Sequence, residues 1–155
     1  MARKPRIDSA SEAARIAAKA GQPLHPPPTI PLKPDELLFF ANVVDEFGRS
    51  EWTTHSLEIA ALLARTMCML EIETRMLRDE GSVAKSDRGT PVQNPRVSVT
   101  KGLAGDLLSY RRSLQLHSRA QNGDGRDTAK RRNGVKAVEN SVKDGGDDGL
   151  LAKAN

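Results

Sequence analysis

Apolar positions along the chain fall into three helical rows, broken by proline, glycine and short polar runs. Leu37, Phe40, Val44 and Phe47 recur at i, i+3, i+7 and i+10, which predicts a helix over 34–48 with one buried face. Pro34, Asp35 and Glu36 form a favourable first turn for it, and Gly48 ends it. After the short turn "RSEW", Thr53 or Thr54 caps a second helix that runs to about Glu80, roughly 40 Å at 1.5 Å per residue. Its apolar residues occupy two rows. Leu57, Ala60, Ala61, Ala64, Met67, Cys68 and Glu71 form one; Leu62, Leu63, Thr66, Met69, Leu70, Met76 and Leu77 form the other. A helix apolar on two sides needs two partners, and one hairpin neighbour covers only one of them. A neighbouring subunit is the natural second.

The segment "GSVAKSDRGTPVQNP" (81–95) is rich in turn formers. It reads either as a small β-hairpin at 81–94, with Val83 and Val92 flanking an Asp-Arg-Gly turn, or as an irregular loop. Pro95 then opens a third helix, about 95–117, whose Leu103, Leu107, Tyr110 and Leu114 step by four, three and four along one seam. The fold class expected is all-α: a long antiparallel helical hairpin with a short helix before it.

The flanks differ. All five aromatics lie between 34 and 118. Residues 1–33 are rich in Ala, Pro and basic groups, and 119–155 in Gly, Asp, Asn and Lys/Arg, so neither flank offers the apolar surface that offsets chain entropy. The expected organisation is a mobile basic N-terminal arm with a Pro-rich linker (1–33), a helical oligomerisation core (34–118) and a disordered basic, Gly-rich tail (119–155). Within the first arm, "SASEAARIAAKAG" has the form of a short amphipathic helix, capped by Ser9 or Ser11 and stopped by Gly21. "HPPPTIPLKP" should be extended and semi-rigid.

Charge divides the chain in the same places. Residues 1–33 carry six Lys/Arg against two Asp/Glu, 34–118 carry ten against twelve, and 119–155 carry eight against six. Basic arms around a near-neutral core suit a polyanion. The bland alternative is that they only confer solubility.

Catalytic and metal chemistry find little support. His25, His55 and His117 are far apart in sequence, and Cys68 is the single cysteine. There is no phosphate-binding GxxxxGK[ST] and no GxGxxG. "NGDGRD" (122–127) lacks the remaining oxygen ligands of a calcium loop. No cofactor or metal is expected, and no enzymatic activity. No apolar run reaches the roughly 20 residues of a membrane span, and the N-terminus lacks a signal-peptide core, so a cytoplasmic location is expected.

The first two helices resemble a helix-turn-helix pair only weakly, because the second opens "TTHSLEIAALL" and offers base edges little beyond Thr54, His55 and Ser56. Arg111 and Arg112 are more suggestive. They follow Tyr110 on the seam, so at least one points away from it. In a monomer they are an ordinary solvated face; repeated around a ring they form a basic band for DNA phosphates.

The order of these features resembles the small terminase subunits of tailed double-stranded-DNA phages, of the cohesive-end type. It rests on "RIDSASEAARIAAKAG", the proline linker, "EWTTHSLEIAALLARTMCMLEIETRMLRDEG", and above all "LLSYRRSLQLHSRAQNGDGRD" with an Asn-Pro before the last helix. The resemblance covers roughly residues 6–132. It implies a non-catalytic subunit in the host cytoplasm that binds the packaging site on double-stranded phage DNA and regulates the large ATPase/nuclease subunit. It also implies a homo-oligomeric ring of about eight to eleven copies, nine favoured. An obvious basic recognition helix, present in some members, is missing here.

On this reading the DNA-binding residues are Arg3, Lys4, Arg6, Arg15, Lys19, Arg111, Arg112, Lys130, Arg131 and Arg132. Oligomerisation falls to Leu57, Ala61, Ala64, Met67, Leu70, Leu103, Leu107, Tyr110 and Leu114. "DDGLLAKAN" is a candidate dock for the large subunit. The alternatives are a small dimeric helical DNA-binding regulator and a structural phage adaptor.

Overall fold

A computed structural model of the chain describes residues 10–86, 88–116 and 126–145. Five α-helices run in the order α1 (Ala10–Ala20), α2 (Pro34–Val44), α3 (Thr54–Glu80), α4 (Arg96–Ser113) and α5 (Arg126–Gly145). A single 3-10 turn (Arg49–Glu51) precedes α3, and two short strands, β1 (Val83–Lys85) and β2 (Pro91–Gln93), join α3 to α4. The chain divides into two compact units. One comprises Pro26–Val43 and Thr54–Leu116; the other comprises Met1–His25, Val44–Thr53 and His117–Asn155.

The first unit is the expected helical hairpin. α3 and α4 pack along each other, and β1 pairs with β2 antiparallel, Ala84 opposite Val92. The hairpin turn closes through the Gly89 amide donating to the Ser86 carbonyl at 2.8 Å, with Gly89 at φ +79°. Of the two sequence readings of this segment, the β-hairpin is the one the chain adopts. The buried side chains of α3 (Ala60, Ala61, Leu63, Ala64, Thr66 and Cys68) all lie between its start and its middle turn. Thr66 is tolerated there because its hydroxyl donates to the Leu62 carbonyl at 2.9 Å. Burial, and secondarily Glu36 and Asp35, push the Cys68 thiol up.

A polar clasp ties the far end of the hairpin. The Asn94 amide nitrogen donates to the Glu80 carboxylate and to the Gly81 carbonyl, both at 3.0 Å, while its oxygen accepts the Arg96 amide. Arg96 reaches back across the pair to both Glu73 and Glu80. One buried Asn thus satisfies the end of α3 and the start of α4 together.

α2 opens as its sequence dictates. Pro34 takes the first helical position, and Glu36 folds back to accept the Lys33 amide at 2.8 Å, half of a capping box. Arg65 of α3 donates to the Pro31 carbonyl at 2.7 Å and lies 3.9 Å from Glu36, so the proline-rich strap is held along α3. α2 stops at Val44 rather than continuing to 48. The Val44 carbonyl accepts the Trp52 indole N–H at 3.0 Å, and Phe47, expected on the helical face, turns to pair with the Trp52 ring at 5.4 Å.

α4 likewise ends early, at Ser113. Gln115 takes the left-handed conformation (φ +57°), and the amides of Gln115 and Leu116 donate to the carbonyls of Arg112 and Arg111 at 2.9 and 2.8 Å. This is a Schellman cap with glutamine where glycine is usual.

The second unit joins the two flanks. α1 packs on α5 and on the 3-10 turn, with Ile16, Ala20 and Val135 buried. α1 falls where its amphipathic row places it. α5 stands within the stretch that the sequence reading leaves without packed structure. It docks on the 44–53 turn through Glu139, which accepts the Arg49 amide, and Lys136, which donates to the Asp45 carbonyl. Gly48 permits the approach, since a Cβ there would collide with the Val135 side chain.

Candidate nucleic-acid interface

The basic residues fall into groups with different freedom. Arg15 lies on α1 and is chelated by Glu12, Nε to Oε2 at 3.0 Å and Nη2 to Oε1 at 2.8 Å. That carboxylate is buried while the arginine is half exposed, so Arg15 already neutralises a charge within its own helix. Lys19, in the last turn of α1, is exposed and complements the helix dipole.

On α5, Lys130 is exposed, whereas Arg132 is folded inward. Its guanidinium sits 3.7 Å over the Phe47 ring and 4.0 Å from Glu51. Burial lowers its pKa, and the Glu51 carboxylate opposes that shift. A guanidinium held this way is part of the unit's packing and has less freedom to meet a phosphate than Lys130 has. Arg131 is on the same helix. Exposed Lys143 and partly exposed Lys136 add positive charge to α5 that the sequence reading did not single out. Their periodicity carries no signal, because the helix is polar on most faces.

In the hairpin unit, Arg111 and Arg112 are both exposed in the last turn of α4. Their carbonyls hold the Schellman cap while their side chains are exposed, with no ion-pair partner among the described residues. Arg3, Lys4, Arg6, His117, "NGDGRD" up to Gly125, "DDGLLAKAN" and the Arg131 side chain lie outside the described residues.

The residues expected at an oligomer contact divide by burial. Ala61, Ala64 and Leu114 are buried, while Leu57, Met67, Leu70, Leu103, Leu107 and Tyr110 are partly exposed. Met69, Ile72 and Met76 are more exposed than any of these. No helix among the described residues is long and apolar enough to cross a membrane. His55 is exposed beside Glu58, 3.7 Å away.

Comparison with known proteins supplies the deciding observation. The Hendrixvirinae small terminase family matches residues 1–155, the full length of the chain. The chain belongs to that family. It is also 28% identical over 153 residues to a protein of Enterobacteria phage HK97 described as "Terminase, small subunit", covering 95% of this chain and 94% of that one. Membership in the Hendrixvirinae small terminase family extends over α1 and α5 as well as the hairpin. The flanks are therefore part of what the family shares.

Proposed function

We propose that this chain is the non-catalytic DNA-recognition subunit of a phage genome-packaging terminase, which binds the packaging site and regulates the large ATPase/nuclease subunit. The observation that carries this reading is the family match over the whole chain. The exposed cations of both units support it. Lys19 and Lys130 on one, and Arg111 and Arg112 on the other, are exposed and have no ion-pair partner among the described residues, which suits them to meeting phosphates. Contacts of this kind give affinity and salt dependence but little sequence information. Site choice then comes from avidity across many copies and from DNA shape.

The homo-oligomeric ring belongs to the same proposal. It is supported by the exposed apolar side chains of α3, which a lone hairpin leaves in water.

Two measurements test the reading. Full-length protein is titrated against packaging-site and scrambled duplexes at several salt concentrations, and its assembly mass is determined. Salt-dependent binding that favours the packaging site, by an assembly larger than a dimer, is the expected result. Absence of DNA binding would turn the reading toward a structural adaptor, and a dimer toward a small DNA-binding regulator.

A further inference from the structure

One face of α5 is engaged and the other is open. Arg132, Val135 and Glu139 recur at i, i+3 and i+7 and close against the 44–53 turn. Arg132 lies over the Phe47 ring, Val135 is buried beside Gly48, and Glu139 accepts the Arg49 amide. Lys136, on the flank, donates to the Asp45 carbonyl. Counting about 100° per residue, Lys130, Asn133, Ala137 and Asn140 fall on roughly the opposite face, at i, i+3, i+7 and i+10. All four are exposed. The side-chain amides of Asn133 and Asn140 make no hydrogen bond among the described residues.

Two features set this outer row apart from an ordinary solvated helix face. The first is composition. Such a face gains from Glu, Gln, Lys or Ala, whereas Asn and Gly are weak helix formers. α5 nevertheless places Asn133 and Gly134 together near its middle and Asn140 two turns later. The second is charge. From Lys130 to Lys143 the helix carries five Lys/Arg against one carboxylate, Glu139, which is buried and turned inward. Lys130 and Lys143 are exposed at the two ends of the open row, about 20 Å apart along the axis.

These residue types match the edges of an A·T pair. A carboxamide pairs at once with the N6 donor and N7 acceptor of adenine in the major groove, and a small apolar side chain meets the thymine methyl. A helix about 10–12 Å across fits a groove about 12 Å wide. Asn133 and Asn140 stand about 10.5 Å apart along the axis, or about three base-pair steps at 3.4 Å. We infer that the Asn133–Ala137–Asn140 face of α5 enters the major groove and reads A·T pairs, with Lys130 and Lys143 on the flanking phosphates. The 44–53 turn and α1 hold the helix from behind. α5 is then the base-reading element that the start of α3 does not provide. The inference rests on the DNA-binding part of the proposed function, and it adds direct readout of bases to avidity and DNA shape.

The test uses full-length protein, a double variant Asn133→Ala with Asn140→Ala, and Lys130→Ala as the phosphate control. Alanine is the better helix former, so circular dichroism should show at least wild-type helicity in the asparagine variant. Affinity is measured for three duplexes: the packaging site, the same site with 7-deazaadenine for adenine, and a scrambled sequence. Wild type is expected to prefer the packaging site and to lose at least about 5-fold in affinity when the adenine N7 is removed. The asparagine variant should lose at least about the same factor on the packaging site, keep its affinity for the scrambled duplex, and no longer respond to 7-deazaadenine. Lys130→Ala should weaken binding to all three by one factor. The inference is overturned if the asparagine variant keeps the wild-type preference, if it weakens on packaging-site and scrambled DNA alike, or if wild type ignores the loss of N7. In each of those outcomes DNA binding itself stands. A wild type that binds no duplex removes the DNA reading and this inference with it.

Discussion

Arg132 of α5 lies over Phe47, its guanidinium carbon 3.7 Å from the ring centroid, and Phe47 in turn meets Trp52 at 5.4 Å. This stack fixes the C-terminal helix to the turn that follows α2. A desolvated cation over an aromatic face contributes about 1–2 kcal/mol. Arg132→Ala should therefore lower the stability of this unit by about that much, read by denaturant unfolding with Trp52, the only tryptophan, as the fluorophore. Lys130→Ala, on the exposed side of the same helix, should leave the unfolding midpoint unchanged and weaken DNA binding. If Lys130→Ala moved the midpoint and Arg132→Ala did not, the division between packing and phosphate contact drawn here would be reversed.

Arg111 and Arg112 offer the clearest electrostatic test. Each phosphate neutralised contributes about 0.9 to the slope of log K against log salt. Replacing both by alanine should flatten that slope by about 2 for each subunit in contact with the DNA, with the assembly mass unchanged. An unaltered slope would return the pair to an ordinary solvated face.

The cap of α4 predicts a gain. Gln115 holds φ +57°, which costs a side-chain-bearing residue about 1 kcal/mol relative to glycine. Gln115→Gly should stabilise the hairpin by about 0.5–1 kcal/mol, measured as a rise in thermal midpoint. A fall would mean that the glutamine side chain contributes more than its backbone strain costs.

Hydrogen bonds from Asn94, and then from Arg96, hold the Glu80 carboxyl below its ordinary range. The unfolded chain therefore takes up this proton first as pH falls. Stability from the clasp is complete above the ordinary glutamate pKa of about 4.3 and is lost as pH drops through the lower native value. Asn94→Ala should shrink this acid dependence, and it should also destabilise at neutral pH by about 1–2 kcal/mol, since the first amide of α4 loses its acceptor. Unfolding followed between pH 6 and pH 3 in both proteins checks the sign.

The parts legible in sequence are those specified locally. The rows of α2, α3 and α4 repeat at helical spacing, while the turn formers between them admit a β-hairpin, with valines flanking Arg88-Gly89, and equally an irregular loop. α1 is legible as a short helix between a serine cap and Gly21, but its packing on α5 is not. α5 itself is not legible. Its inward face is Arg132, Val135 and Glu139, a row with one aliphatic residue, and the backbone it docks on lies 90 residues earlier in the chain. Phe47 misled for the same reason. Its spacing continues the α2 row, but its partners are Trp52, five residues on, and Arg132. Among the cations, type and position were readable from the chain. Their availability was not, because the chelation of Arg15 and the stacking of Arg132 depend on contacts that no local pattern encodes.

Because α1, the 44–53 turn and α5 form one unit from three separated stretches of chain, the two ends of this protein are not independent handles. Removing residues 1–20 takes from α5 one of its two partners, and removing 126–145 takes from α1 its packed helix and from Phe47 the Arg132 stack. Serial truncation from either end should thus yield the same defect twice, and a map of function drawn from such deletions would credit each end with the work of the other. Point substitutions on exposed faces separate the two, as does a charge swap between the ends.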